Sequence, residues 1–180
     1  SSGLHRFRQE CRVLSRLKHP GIVQLFETGH TPDGHVYLAM EFVRGRCIDA
    51  WASAEPATIA QRTHAMIEVL GALAHAHAAG VVHRDIKPEN LFLEGGALDG
   101  VRLLDLGIAR FVDPAAHGPR TGAVIGTPAY MSPEQVRASD ALDHRSDLWS
   151  LGVVLYECLT GVAAWPGSNP LAVMVKVLLE

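Results

Sequence analysis

Near the start of the chain, apolar residues fall three and four positions apart: Leu4, Phe7, Cys11, Leu14 and Leu17 trace one face of a helix over residues 4–18. His19-Pro20-Gly21 should stop it, since proline cannot continue the hydrogen-bond ladder. Glu10 lies beside that face, and on pattern alone it reads as a solvated helix carboxylate. The period then shortens to two. Residues 22–28 read as a strand, Thr31-Pro32-Asp33-Gly34 as a turn, and residues 36–42 as a second strand with Val36, Leu38, Met40 and Phe42 alternating. That order predicts an antiparallel pair. Gly45 breaks the pattern before a short helix over 48–52.

A long helix is predicted over residues 58–79. Ile59, Met66, Ile67, Leu70, Leu73, Ala74 and His77 are expected on its buried side, with Gly80 placed to close it. Short strands over 91–93 and 101–104 flank Glu94-Gly95-Gly96, which favours a turn, so Asn90 and Asp105 should sit at neighbouring strand ends. Residues 108–131 show little periodicity, and a loop of that length is usually functional or disordered. A short helix near 133–137 follows. Residues 147–160 are apolar on most sides, which predicts a buried central helix ending at Gly161. Asn169 followed by Pro170 opens a last helix.

Composition narrows the partners. A chain of 180 residues, 48% hydrophobic and 19% charged, can bury one sizeable core. Its formal net charge of -3 gives no electrostatic reason to expect nucleic acid. Cys11, Cys47 and Cys158 are odd in number and widely spaced, which fits a reducing, cytoplasmic setting better than a disulfide framework or a zinc cluster. Charged or polar residues interrupt every apolar run short of the roughly 18 residues that suggest a membrane span. Ser1-Ser2-Gly3 is neither an initiator methionine nor a signal peptide, so the chain reads as starting inside a longer protein, membrane-anchored or not. His75 and His77, two apart on a helix, should point to different faces, which argues against a metal pair.

The chemistry concentrates between His83 and Gly107. His83-Arg84-Asp85-Ile86-Lys87-Pro88-Glu89-Asn90 supplies an acid able to accept a hydroxyl proton, and Asn90 and Asp105 offer oxygens hard enough for magnesium. Two further runs stand downstream in order: Gly126-Thr127-Pro128-Ala129-Tyr130-Met131-Ser132-Pro133-Glu134 and Asp147-Leu148-Trp149-Ser150-Leu151-Gly152. With Asp105-Leu106-Gly107 these make four motifs in register. On them the sequence closely resembles a eukaryotic-like (Hanks-type) protein serine/threonine kinase of bacteria, from its helix C to its helix G.

The resemblance implies an α+β, bilobal protein-kinase fold. Residues 1–43 would be a truncated small lobe and hinge, with helix C and two antiparallel strands. Residues 44–180 would be a mainly helical large lobe lacking its last helices, with an activation segment over 105–134. The implied activity moves the γ-phosphate of ATP, with Mg2+, to Ser/Thr hydroxyls of a protein substrate. Asp85 would orient and deprotonate the hydroxyl, Lys87 neutralise the moving phosphate, Thr127 bond both, and Asn90 and Asp105 hold the metal. Met40 becomes the residue at the back of the purine pocket, Glu41 and Val43 its backbone contacts, and Phe92 its floor. Glu10 now matches the carboxylate that positions the ATP-binding lysine. Arg84 would receive a phosphate on Thr121, raising activity. Leu14, Leu25, His83 and Leu106 would stack as an apolar spine tied to Asp147, with Leu106 standing where the family usually has phenylalanine. Cys47, past the hinge at a helix start, reads as either an alkylatable thiol of lowered pKa or an inert buried cysteine.

Some of the family pattern is not in this sequence. The Gly-rich phosphate loop and its lysine should precede residue 1, and the arginine that pairs with Glu134 should follow Glu180, so the isolated chain is expected to be unstable or inactive. A dimer through the small lobe of the parent is a further implication. The alternative is a truncated or pseudokinase module that binds partners and transfers nothing; the sequence upstream of Ser1 discriminates the two.

Overall fold

The alternating segments pair as their order demands. In this computed structural model, which describes residues 13–33, 35–54, 57–106, 128–139 and 142–180, β1 (Leu25–His30) runs antiparallel to β2 (Val36–Met40), with a register shift between Leu25 and Glu27. β1 starts later than its expected span because residues 22–24 turn away to a different partner, and β2 ends two residues early at Met40. Ile22 bridges to Leu103 in parallel, and the backbones bond through Val23 N–H to Leu103 O (3.1 Å) and Leu103 N–H to Gly21 O (2.8 Å). Most of the helix expected over 4–18 lies outside the described residues; residues 13 and 14 are helical.

The second sheet has three strands, and its first was not expected. β3 (Gly45–Cys47) pairs antiparallel with β4 (Leu91–Glu94), which pairs with β5 (Val101–Leu103). Gly45 admits the pairing: a Cβ there would lie 2.2 Å from the carbonyl oxygen of Leu93, closer than any side chain tolerates. Leu91, Leu93, Val101 and Leu103 are buried, each contributing about 1.5–3 kcal/mol by leaving water.

Helix α1 (Ile48–Ala54) follows β3 directly, and α2 (Ile59–Ala78) is the long helix. Thr58 caps α2 in a capping box with Gln61. Gly80 (φ +76°) ends it in a Schellman arrangement, with Val81 N–H bonded to Ala76 O and Gly80 N–H to His77 O, both at 2.9 Å. Its buried face differs from the expected one. Met66 and Leu73 are buried, but the rest of the face is Ala65, Val69, Ala72 and Ala76, while Ile59 (73% exposed), Ile67 (56%), Leu70 and Ala74 face outward. Small residues occupy the buried face of a helix that packs on both β5 and the helix over residues 145–160.

Helix α3 (Pro133–Val136) is short, α4 (Arg145–Thr160) ends on the left-handed Gly161, and α5 (Pro170–Leu179) is capped by the Asn169 side chain. The apolar character of α4 does not bury it all round: Leu151, Val153, Val154 and Cys158 are buried, whereas Leu148, Trp149, Tyr156 and Leu159 are exposed. Arg62 ties helix ends together, its guanidinium donating to the carbonyls of Cys158, Ala57 and Ala52. No described helix is long and apolar enough to cross a membrane.

Candidate active site

Asp147, on the first turn of α4, is fully buried, and a buried carboxylate must be paired. Its Oδ2 accepts the His83 N–H (2.8 Å) and the His77 Nε2–H (2.7 Å), and its Oδ1 accepts the Arg84 N–H (2.7 Å). The Arg84 carbonyl accepts Gln135 Nε2–H at 2.7 Å. Arg84 is thus pinned on both sides at φ +67°, a region costly for a residue with a Cβ. This strained residue immediately precedes Asp85.

His83 is a structural ring. Nε2 donates to the Leu104 carbonyl at 2.7 Å and Nδ1 accepts the Asp85 N–H at 3.2 Å, which fixes one neutral tautomer. Burial holds its pKa below the ordinary value, against the opposing pull of Asp147, the Leu104 carbonyl, Asp85 and Asp105. Leu14, Leu25 and Leu106 are buried in one hydrophobic core.

The chemistry-bearing side chains come together beyond it. Asn90, in a 3₁₀ turn (Pro88–Asn90), donates its Nδ2 hydrogens to the Asp85 carbonyl (2.7 Å) and to Asp85 Oδ2 (3.1 Å). Lys87 Nζ lies 3.0 Å from the same Oδ2. The Asn90 carbonyl accepts Leu104 N–H at 2.9 Å, which brings Asp105 (φ +51°) next to Asn90 across the strand ends. Both Asn90 bonds use its nitrogen, so its Oδ1 and the exposed Asp105 carboxylate are hard oxygen donors of the kind Mg2+ takes.

Beside this cluster an apolar pocket is lined by Leu14, Val23, Leu25, Met40, Leu103, Asp105 and Leu106. Met40 sits in its wall. Glu41 follows: its N–H donates to Gln24 O at 2.9 Å. Phe92 is half-buried on β4, opposite Cys47 of β3, and Val43 is half-buried in the linker between β2 and β3. Glu10, Thr121 and Thr127 lie outside the described residues.

Over its whole length, residues 1–180, the sequence matches the protein kinase domain family. The chain belongs to that family. It is 42% identical to the serine/threonine-protein kinase pkn3 of Myxococcus xanthus over 181 residues, covering 97% of this chain and 33% of the relative. It is 40% identical to PknB of Mycobacterium tuberculosis, covering 97% and 28%, and 41% identical to a probable serine/threonine-protein kinase of Corynebacterium efficiens, covering 97% and 27%. The kinase domain segment seen here therefore spans 27–33% of the length of these curated relatives. Its two small antiparallel sheets and helices fit a truncated bilobal kinase fold, and the family generally implies ATP and Mg2+.

Several features of this kinase domain escape sequence reading. His77, expected on the buried side of the long helix but with no partner legible there, is a third donor to Asp147. His75 instead lies tilted against the ring of His19, their centres 5.2 Å apart, so the two histidines do face different ways. Gln135 serves both a capping box with Ser132 and the Arg84 carbonyl. Glu134 does not stand as a lone buried carboxylate: Ser146 Oγ–H donates to it at 2.8 Å. Burial pushes its pKa up, but hydrogen bonds from its own backbone, Ser146 and Ser132 outweigh that and hold it below the usual value. Cys47 departs from the lowered pKa expected at a helix start. Burial and then the neighbouring Asp49 push its thiol up.

Proposed function

We propose that this chain is the core of an ATP-dependent protein serine/threonine kinase, acting on Ser/Thr hydroxyls of a protein substrate. The observation that carries the reading is the bonded cluster of Asp85, Lys87 and Asn90, set on a strained loop that Asp147 holds from below. In this reading the acceptor oxygen bonds the γ-phosphorus as its proton passes to an Asp85 oxygen, the bond from phosphorus to the β–γ bridging oxygen breaks, and ADP leaves. Lys87 offsets negative charge on the transferring group, which is most of what such a site must do. Bound Mg2+ neutralises phosphate oxygens, and Asn90 and Asp105 are the residues to hold it.

The same reading gives Met40, Phe92, the Glu41 carbonyl and the Val43 backbone to the purine, Glu10 to the ATP-binding lysine and Thr127 to Asp85. Residues 1–43 serve as small lobe with hinge and residues 44–180 as large lobe. Arg84 is the receiver for a phosphate on Thr121; its Nε is buried with no hydrogen-bond partner among the described residues, the state of a cation kept for an anion. The protein works in the cytoplasm, as a free or membrane-anchored protein, with no nucleic acid partner and with a dimer contact through its small lobe. Transfer from radiolabelled ATP to a generic protein acceptor, measured on the full-length protein, tests the reading. Asp85→Asn should lower the rate about 10²–10⁴-fold. Failure of the unaltered protein to transfer phosphate would leave the non-catalytic scaffold as the better reading.

A further inference from the structure

Arg102 sits mid-strand in β5 between the buried Val101 and Leu103. Side chains alternate along a strand, so Arg102 points to the other face of the sheet. There the register sets it opposite Phe92 of β4, and Phe92 opposite Cys47 of β3. With only 18% of its side chain exposed, the cation needs partners. Nε donates to Glu94 Oε2 at 2.8 Å, Nη1 to the Pro20 carbonyl at 2.5 Å, and Nη2 to Glu41 Oε1 at 3.1 Å.

These partners lie on separate parts of the chain. Glu94 is on the neighbouring strand, so that bond is internal to the sheet. Pro20 precedes β1, and Glu41 begins the linker after β2. The other oxygen of Glu41 accepts the Gln24 N–H at 3.3 Å, so the carboxylate is gripped from the foot of β1 and from β5 together. The apolar pocket lined by Val23, Leu25, Met40 and Leu103 opens between these same segments. One guanidinium therefore ties β5 to the segment before β1 and to the linker after β2, segments next in sequence to residues that line the pocket.

We propose that Arg102 is a positioning residue for the nucleotide: by fixing the Glu41 linker against β5 it sets the width of the slot that takes the purine. The inference rests on the kinase reading above, and the geometry makes the response of its partners unequal. Glu41→Gln and Arg102→Leu release the linker. They raise the KM for ATP about tenfold and keep kcat within about twofold, because ground-state binding is lost while Asp85, Asn90 and Lys87 keep their own bonds. Glu94→Gln loosens a bond inside one sheet and leaves the KM within about twofold. Arg102→Lys restores part of the affinity, since an ammonium can replace one fork of the guanidinium but not three.

The test is steady-state kinetics with varied ATP on the full-length protein, alongside calorimetric binding of Mg-ADP and a melting curve for each variant. A wild-type protein that binds no nucleotide would overturn the kinase reading, and this inference with it. Where wild-type binding is intact, equal KM shifts for Glu41→Gln and Glu94→Gln, or a loss in kcat at unchanged KM, overturn the inference alone. If Arg102→Leu does not fold, the comparison of Glu41→Gln with Glu94→Gln still decides, because both retain Arg102.

Discussion

Replacing Asp147 by asparagine keeps the shape of the buried hub and removes its charge. The carboxylate accepts three donors, two of them backbone N–H groups of His83 and Arg84. An asparagine has one oxygen, and its NH2 must then face a donor. If the oxygen stays with His83 and His77, the Arg84 N–H is orphaned; if it turns to Arg84, the other two are. Each orphaned buried donor costs about 1–3 kcal/mol, and bonds to a charged acceptor stand at the upper end. A total of about 3–5 kcal/mol is expected, the range for breaking a buried ionic arrangement. At roughly 2–4 °C per kcal/mol for a domain of this size, the melting temperature falls by about 6–20 °C. The catalytic consequence has a separate origin. Arg84 at φ +67° stays strained only while its N–H and carbonyl are both held, so it should relax and carry Asp85 with it. A displacement near 1 Å costs about a hundredfold in rate. Thermal unfolding and single-turnover phosphotransfer on the full-length protein measure the two effects. His77→Ala is the calibration, since it removes one donor and leaves both backbone bonds, and should lose stability with much less rate. An Asp147→Asn protein that melts within about 2 °C of the unaltered one and keeps its rate would refute this account of the hub.

Three further outcomes follow from individual contacts. Gly45→Ala, whose new methyl would meet the Leu93 carbonyl, should lower unfolding free energy by about 1–3 kcal/mol in urea melts, through separation of β3 from β4. For His83, whose pKa is depressed in the folded state, the unfolded chain binds the extra proton; stability from this group is full above about pH 6.5 and falls as pH drops towards the folded pKa. Urea melts between about pH 7 and pH 5 should show that slope, and His83→Phe, though less stable throughout, should flatten it. Burial pushes the Cys158 thiol up to about 11 and raises that of Cys47, so in a Cys11→Ser background maleimide should label the native protein slowly at pH 8 and rapidly in denaturant.

The sequence could be read for whatever depends on local order. The antiparallel pair, the Gly80 stop, the Asn169 cap and the nearness of Asn90 to Asp105 all follow from neighbours in the chain. The faces of α2 and α4 do not. Both helices are apolar on more than one side, and period alone cannot choose among several apolar stripes. The choice on α2 falls to close packing, which accepts Ala65, Ala72 and Ala76 and turns Ile59 and Ile67 outward. β3 was hidden for a similar reason: Gly45-Arg46-Cys47 has no periodicity, and its strand character comes from an acceptor on β4. In the site, motif residues announced themselves by resemblance, whereas His77, Gln135 and Arg102 act on partners 70, 51 and 61 positions away. No local signal encodes such a reach.

That reach also dates the assembly of the site during synthesis. The acceptor for the His83 N–H lies 64 residues downstream, and long-range contacts form only after the intervening chain exists. At about 5–20 residues per second, a ribosome needs several seconds after making the Asp85 loop before it delivers Asp147. Throughout that interval the loop has Asp85 in place but no anchor to hold Arg84 in its strained state. The strained loop can therefore reach its final shape only once α4 has emerged and docked its carboxylate beneath it.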